Sequence, residues 1–333
     1  MLFSSSRVMF TISLMAGVIL AVSATTWFGA WVGLELNLLS FIPLIVTKNN
    51  RYASEAALKY FLIQVLGSAL IIFSASIMMF YQKGSPLFIT LALLLKLGAA
   101  PFHSWFPQVM EGMNWMQSII LMTIQKITPL FLISYLINDM FVISIIFYTA
   151  ALSAIVGSVS GINQTSLRKI MAFSSINHMA WMLSAIMMSD TVWIMYFSFY
   201  SVMSSTVVIL FNSQHIYYFS QITINNNLQF SSKIFTFMSL FSLGGLPPFS
   251  GFIPKWLMIQ EMIAANLFSL LLILLSSTLI SLYYYIRITV SSLMLAAPKM
   301  KSNTLGQTTS KLSPVASFLN LFGLFIPSVF IMF

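Results

Sequence analysis

The stretch "LALLLKLGAAPFHSWFP", residues 91–107, begins as an apolar helix and then breaks its own pattern. Lys96 interrupts the apolar run, and a glycine and a proline follow closely. A related stretch, "LGGLPPFSGFIP", fills residues 243–254, and with one inserted residue both read Leu-Gly-x-x-(x)-Pro-Phe-x-x-x-x-Pro. Lys255 follows the second copy directly. Transporters place broken helices at corresponding positions of a repeat, where they line the ion path, so the two stretches predict a transporter-like fold.

Composition restricts the chain to one class of protein. Of its 333 residues 59% are hydrophobic and only 6% are charged, and the mean hydropathy is +0.94. Soluble domains carry about 25% charged residues, so the chain is predicted to be a polytopic integral membrane protein. It has no cysteine, three scattered histidines and no Walker loop, GxGxxG or HExxH motif. We therefore predict that it holds no metal, nucleotide or redox cofactor of its own.

Apolar segments of about 20 residues, the length that crosses a bilayer, recur along the chain. Eleven are predicted, over about 8–24, 27–46, 57–80, 87–107, 116–137, 140–161, 170–188, 191–211, 234–260, 265–287 and 314–332. The two motif copies fall in the fourth and ninth segments, so they run in opposite directions. This predicts an all-α, antiporter-like fold of inverted five-helix repeats with two broken helices. The single membrane domain, 1–333, would contain repeat-like halves of about 8–137 and 140–287 and a C-terminal helix of about 314–332.

Charges between the predicted spans sort cleanly onto the two sides of the membrane. Ten basic residues fall on one side: Arg7, Lys48, Arg51, Arg168, Lys169, Lys233, Arg287, Lys299, Lys301 and Lys311. The other side has one basic residue, Lys83, together with Asp139, Asp190 and Glu261. The basic side of a membrane protein is the cytoplasm, or the matrix of a mitochondrion. The N-terminus is therefore predicted inside and the C-terminus outside.

Five charged residues remain within the spans or at their edges: Glu35, Lys59, Lys96, Lys126 and Lys255. A charge in the middle of a span costs about 2.5–3.5 kcal/mol on insertion scales, so each needs a structural reason or a function. Lys59 lies near the start of its span and could extend to the interface, and Glu35 could hydrogen-bond a neighbouring helix. Burial disfavours charge on a lysine, which suits a group that takes up and releases protons. The set predicts a proton relay.

Two histidines lie close to these segments. His178, in "SSINH", is a candidate relay group because its side chain titrates near neutral pH. A structural hydrogen bond to serine or asparagine side chains is the interpretation that we favour for it. His103, inside the first broken stretch, is predicted to have a packing or interface role.

Six segments occur in the order found in one protein family. They are "GAWVGLELNLLSFIPL", "EAALKYFL", "KLGAAPFHSWFP", "LMTIQKITPL", "NQTSLRKIMAFSSINHMAWM" and "LGGLPPFSGFIPKW". Over residues 27–260 the chain resembles the NADH dehydrogenase (ubiquinone) subunit 2 family, the mitochondrially encoded, antiporter-like subunits of respiratory complex I. Animal members look like bacterial antiporter-like subunits of fourteen spans without the first three, which leaves eleven.

The resemblance implies roles for the five charged residues. Glu35, paired with Lys59 of the next helix, would start the relay, and Lys96, Lys126 and Lys255 would carry the proton onward. Quinone reduction elsewhere in the complex would drive the relay, and this chain would have no catalytic residue in the redox reaction.

The resemblance also implies the surroundings of the chain. NAD, FMN, iron–sulfur clusters and ubiquinone would be used by other parts of the complex. The implied partners are other membrane-arm subunits, with lipids such as cardiolipin as candidates, and no nucleic acid. The implied location is the mitochondrial inner membrane, with the N-terminus in the matrix and the C-terminus in the intermembrane space.

Two alternatives stay open on the sequence. A stand-alone cation/proton antiporter would share the repeat and the lysines, but it usually needs an acidic cation site in mid-membrane, and only Glu35 qualifies. A structural membrane scaffold with vestigial charges is the second alternative. Transport by the purified chain in liposomes tests the first, and co-migration with NADH dehydrogenase activity on a native gel tests complex membership.

Overall fold

The computed structural model describes residues 5–47, 50–78, 85–224 and 230–294, and its regular elements over these ranges are all α-helices. The helices are α1 (Ser5–Ser23), α2 (Trp27–Ile45), α3 (Arg51–Met78), α4 (Ser85–Leu97), α5 (Trp105–Gly112), α6 (Trp115–Met122), α7 (Ile124–Ser134), α8 (Met140–Gly161), α9 (Leu167–Ile186), α10 (Asp190–Ser213), α11 (Phe219–Ile224), α12 (Phe230–Gly244), α13 (Phe252–Ala264) and α14 (Phe268–Met294). The predicted all-α class is confirmed.

Seven of the described helical segments are long and apolar enough to cross a membrane: Ser5–Ser23, Trp27–Ile45, Arg51–Met78, Trp115–Ser134, Met140–Gly161, Asp190–Ser213 and Phe268–Ser291. Two shorter apolar helices, Pro86–Leu97 and Lys233–Gly244, are the first halves of the two broken stretches. Helix α9 is less apolar because it carries serine, asparagine and histidine, and it is buried at every residue from Ile170 to Ile186. The predicted span over 314–332 lies outside the described residues.

Both copies of the opening motif break a helix at a glycine. Helix α4 ends at Leu97 and α5 begins at Trp105, while α12 ends at Gly244 and α13 begins at Phe252. Gly98 and Gly245 follow the two first halves with φ of 71° and 75°, in the left-handed region that residues with a Cβ avoid. The sequence therefore breaks each helix at the one residue type that accepts this backbone conformation without strain.

A third break was not predicted from the sequence. The predicted span over 116–137 is divided at Thr123, which separates α6 from α7. The Thr123 hydroxyl donates to the carbonyl of Ile119 at 2.7 Å, a local bond that competes with the helical pattern. Pro129 adds to the distortion because it has no N–H to donate within α7. Lys126 consequently lies in the first turn of a new helix.

The chain divides into two compact units between Ser153 and Ala154. In the first unit, α1 and α2 approach so closely that a Cβ added to Gly33 would lie 2.6 Å from the backbone nitrogen of Ala21. Small residues at helix contacts are how membrane helices gain packing energy without a hydrophobic driving force.

In the second unit, Arg287 of α14 is hydrogen-bonded to the loop that precedes α9. Its guanidinium donates to the carbonyl of Ile162 at 2.8 Å and to that of Gln164 at 3.0 Å. The same group lies 5.1 Å from the centre of the Phe219 ring. Arg287, which the sequence explained only by topology, therefore also stabilises the fold.

Candidate functional site

The end of α4 places Lys96 in the interior of the first unit. Lys96 is 6% exposed, and it packs against Gly67 of α3, where an added Cβ would lie 2.9 Å from its Cγ atom. Glycine at that position therefore leaves the space that the lysine side chain occupies. The Lys96 backbone carbonyl accepts a hydrogen bond from Nε2 of Gln64 at 3.2 Å.

The Leu95 carbonyl near the end of α4 accepts two hydrogen bonds. One comes from the backbone N–H of Gly98 at 3.2 Å, and the other comes from the indole Nε1 of Trp105, the first residue of α5, at 3.1 Å. The last carbonyls of a helix have no helical partner, and inside a membrane each unsatisfied one costs several kcal/mol by order of magnitude. Gln64 binds the Lys96 carbonyl, and Trp105 adds a second bond to the Leu95 carbonyl. The break beside Lys96 is thus held in place by side chains from α3 and α5.

Lys126 is more completely buried than Lys96. It is 2% exposed, and its Nζ lies 5.1 Å from the centre of the Phe106 ring. A cation over an aromatic face is attracted to it, by about 2 kcal/mol when the pair is removed from water. Phe106 follows Trp105 on α5, so the half-helix after the break supports the surroundings of both lysines.

A small cavity joins the two lysines. It is lined by Tyr60, Gln64, Lys96, Leu97, Trp105, Phe106, Leu121, Gln125 and Lys126. Its volume is about 10 Å³, close to what one water molecule needs. The lining includes two lysine and two glutamine side chains, and a buried water needs such polar partners to be stable. The cavity therefore has room for about one water molecule beside Lys96 and Lys126.

Glu35 and Lys59 also lie in the first unit, and each of them interacts with a different residue. Lys59 Nζ forms an ion pair with Glu55, one turn earlier on α3, at 2.7 Å, with side chains 42% and 61% exposed. Half-buried Glu35, on α2, is close enough to Lys96 for an attractive electrostatic interaction between their charges. Lys59 is therefore paired with Glu55 on its own helix, while the charge of Glu35 acts on Lys96.

Lys255 lies in the second unit, in the first turn of α13. It is 8% exposed, and its Nζ donates to the carbonyl of Gly244, the last residue of α12, at 2.8 Å. The side chain packs on Gly245, where an added Cβ would lie 2.8 Å from Cδ and 2.9 Å from Nζ. A cation at the carbonyl end of a helix is favourably placed in the field of the helix dipole.

His178, on α9, is buried among aromatic hydroxyls of α10. Its Nδ1 lies 3.0 Å from the hydroxyl of Tyr196, and its ring lies 5.2 Å from that of Tyr200. The neighbouring Asn177 accepts a hydrogen bond at its Oδ1 from the hydroxyl of Ser277 at 3.0 Å. The tyrosine hydroxyl of α10 is thus a hydrogen-bond partner of the His178 imidazole. His103 lies in the break before α5, outside the lining of the lysine cavity.

Three neutral residues of this site were not predicted from the sequence: Gln64, Trp105 and Gln125. The prediction used titratable side chains, although neutral polar side chains in the middle of a span also need hydrogen-bond partners. Gln64 interrupts the apolar run "FLIQVLG", and Gln125 directly precedes Lys126. Within the described ranges, no group of three or more histidine, cysteine or acidic side chains is arranged to hold a metal ion.

Comparisons with known proteins agree on one family. The chain matches the transmembrane family of the NADH:quinone oxidoreductase and Mrp antiporter proteins over residues 24–86 and 84–281. It is 45% identical to NADH-ubiquinone oxidoreductase chain 2 of Anopheles gambiae over 337 residues, which covers 97% of each chain. The same subunit of Xenopus laevis is 37% identical over 296 residues, or 86% of each chain.

Solved structures share the fold at lower identity. A chain of respiratory complex I from Thermus thermophilus with bound aureothin superposes with a TM-score of 0.84 at 22% identity, over 97% of this chain and 79% of that one. A chain of the Mrp complex from Dietzia superposes with a TM-score of 0.80 at 14% identity, over 96% and 75% of the two chains.

The helical fold, the broken helices and the buried lysines define a multi-pass membrane protein of the antiporter-like class. Within that class, the chain belongs to the NADH-ubiquinone oxidoreductase chain 2 family. The resemblance predicted from the six sequence segments is confirmed.

Proposed function

We propose that this chain is the proton-translocating, antiporter-like subunit of NADH:ubiquinone oxidoreductase, and that it moves protons through a buried relay of glutamate and lysine. The observation that carries the proposal is the cavity of about 10 Å³ with Lys96 and Lys126 in its wall. Two buried lysines that share space for one water form the shortest unit that can transfer a proton. Reduction of quinone, elsewhere in the complex, supplies the energy.

Glu35 controls the first step of the relay. While Glu35 is ionised, its negative charge attracts the ammonium group of Lys96. Protonation of Glu35 removes that attraction, which is strong because the surroundings screen charges poorly. Lys96 then releases its proton into the cavity, and neutral Lys126 accepts it. Lys59 acts with Glu35: opening of the Glu55–Lys59 ion pair changes the field on the relay from the exposed side of α3.

Lys255 is the proposed last member of the relay before the exit. Its Nζ donates to the Gly244 carbonyl at 2.8 Å, a hydrogen bond that the ammonium and the neutral amine can both make. His178 is a further candidate relay group, because its imidazole is bonded to the hydroxyl of Tyr196 and could pass a proton to it.

The proposal extends to the architecture and surroundings of the subunit. The similar breaks after Gly98 and Gly245, each beside a buried lysine, support inverted five-helix repeats over about 8–137 and 140–287. The sorting of loop charges supports eleven spans, with the N-terminus in the matrix and the C-terminus in the intermembrane space of the mitochondrial inner membrane. Membrane-arm subunits, and lipids such as cardiolipin, are the proposed partners. NAD, FMN, iron–sulfur clusters and ubiquinone are bound by other subunits.

Replacing Lys126 with methionine in the assembled complex tests the relay. The variant keeps the volume of the side chain but cannot carry a proton, so we expect the rate of proton pumping in liposomes to fall by about a hundredfold. Lys301→Met, which changes a lysine in the polar stretch 288–313, is the matched control and should pump normally. Normal pumping by Lys126→Met would contradict the proposed relay.

A further inference from the structure

We infer that Gln125 is a positioning residue, whose side-chain amide orients the water that passes a proton between Lys96 and Lys126. The inference rests on the proposed function and adds a member to its first transfer step. Gln125 lines the cavity that the two lysines share. Its Nε2 is buried, and within the described part of the chain it has no hydrogen-bond partner.

The indole N–H of Trp105 and one N–H of the Gln64 amide, which also line the cavity, are already bound to backbone carbonyls. The amide Nε2 of Gln64 donates to the carbonyl of Lys96, and the indole Nε1 of Trp105 donates to the carbonyl of Leu95. A buried amide N–H without a partner costs about 1–3 kcal/mol, so a side chain that keeps one needs a reason. A water in the cavity supplies the missing acceptor, since its oxygen has two lone pairs.

The hydrogen bonds of that water decide where its protons point. When Lys96 is charged and Lys126 is neutral, the water oxygen accepts one bond from the Lys96 ammonium and a second from Gln125. Both lone pairs are then occupied, so an O–H of the water is directed at the nitrogen of the neutral Lys126 amine.

The transfer balances without any further reactant. An N–H bond of Lys96 breaks as an O–H bond forms on the water, and another O–H bond of the water breaks as an N–H bond forms on Lys126. When Lys126 holds the proton, Lys126 and Gln125 fill the two acceptor positions and an O–H of the water points at Lys96. The water must then turn before it accepts the next proton from Lys96. Without the amide, one lone pair is free and the water can turn away from the acceptor lysine.

Gln125→Leu removes the amide and retains most of the volume. In the assembled complex in liposomes, we expect it to slow proton pumping by about tenfold, which corresponds to about 1.4 kcal/mol in the barrier. The solvent deuterium isotope effect on pumping should rise, because proton transfer becomes the slower step. Gln125→Asn keeps an amide on a shorter side chain and should recover part of the rate.

Controls separate this role from packing and from the relay itself. Gln108→Leu makes the same chemical change at an exposed position of α5 and should pump normally. If Gln125→Leu does not assemble on native gels, Gln125→Met, which is unbranched, replaces it with the same expectation. The inference is overturned if the apolar variant pumps at the normal rate, or if Gln125→Asn is no faster than it. Normal pumping by Lys126→Met would overturn the relay instead.

Discussion

The two broken helices have the same backbone conformation at the break, but their lysines make different contacts. Both breaks turn at a glycine with φ near +70°, Gly98 and Gly245, and both have a buried lysine beside them. Lys96 precedes its break and reaches a cavity that it shares with a second lysine. Lys255 follows its break and folds back to the Gly244 carbonyl at 2.8 Å. The first lysine shares a cavity with another lysine, whereas the second donates to a fixed backbone carbonyl.

The helices that precede the two breaks also differ in their buried hydroxyl groups. Helix α12 carries buried hydroxyls at Thr236, Ser239 and Ser242, each donating to the carbonyl three residues earlier. Helix α4 has Thr90 as its hydroxyl of this kind, followed by five apolar residues before Lys96. Near Lys96, polar contacts come from α3, α5 and α7 instead. A break motif therefore fixes the backbone, while neighbouring helices decide what the lysine can do.

The largest effect is expected for Gly245→Ala. The new Cβ would be strained in the left-handed backbone at this position and would lie 2.8 Å from Cδ of Lys255, so the lysine must shift from its position against the Gly244 carbonyl. We expect destabilisation by about 3 kcal/mol, from backbone strain and overpacking together, measured as a lower melting temperature of the purified complex. Gly244→Ala is the control one residue away, because its Cβ would meet Leu282 and Tyr285 at an ordinary 3.7 Å. Equal melting temperatures for the two variants would contradict this account of the second break.

Gly67→Ala disturbs the first lysine without touching the break. Its Cβ would lie 2.9 Å from Cγ and 3.2 Å from Cε of Lys96, so the flexible lysine must shift within its pocket. We expect a stability loss of about 1–2 kcal/mol and several-fold slower pumping, because Lys96 is displaced from the cavity. The measurement is the pumping rate at a temperature where the variant complex is intact. If the variant is destabilised but pumps normally, the cavity beside Lys96 is not part of the transport path.

Trp105→Phe should have the smallest effect of the three. It removes the N–H that binds the Leu95 carbonyl and leaves most of the ring packing in place. The lost bond should cost about 1 kcal/mol, seen as a small decrease in melting temperature with pumping reduced less than in Gly67→Ala. A larger loss of pumping than in Gly67→Ala would mean that Trp105 contacts the proton path itself.

The sequence was sufficient for features that a local pattern encodes. The two breaks follow from Gly and Pro in an apolar run, and the buried lysines follow from charge within a span. Partners across helices were not encoded in this way, because an apolar helix looks alike on every face. The attraction between Glu35 and Lys96 depends on how α2 and α4 pack. The ion pair of Lys59 with Glu55, by contrast, lies within α3 at the i, i+4 spacing, a local pattern that the sequence does encode. The break at Thr123 also escaped prediction, since threonine is common inside membrane helices.

The central claim is that Lys96 and Lys126 act in series through one cavity. A double-mutant cycle on the pumping rate, with Lys96→Met, Lys126→Met and both together in the assembled complex, tests it most directly. If each single change slows pumping by about a hundredfold, the double variant should be no slower, because one interrupted path cannot be interrupted twice. Losses that multiply in the double variant, or normal pumping by either single variant, would contradict the account.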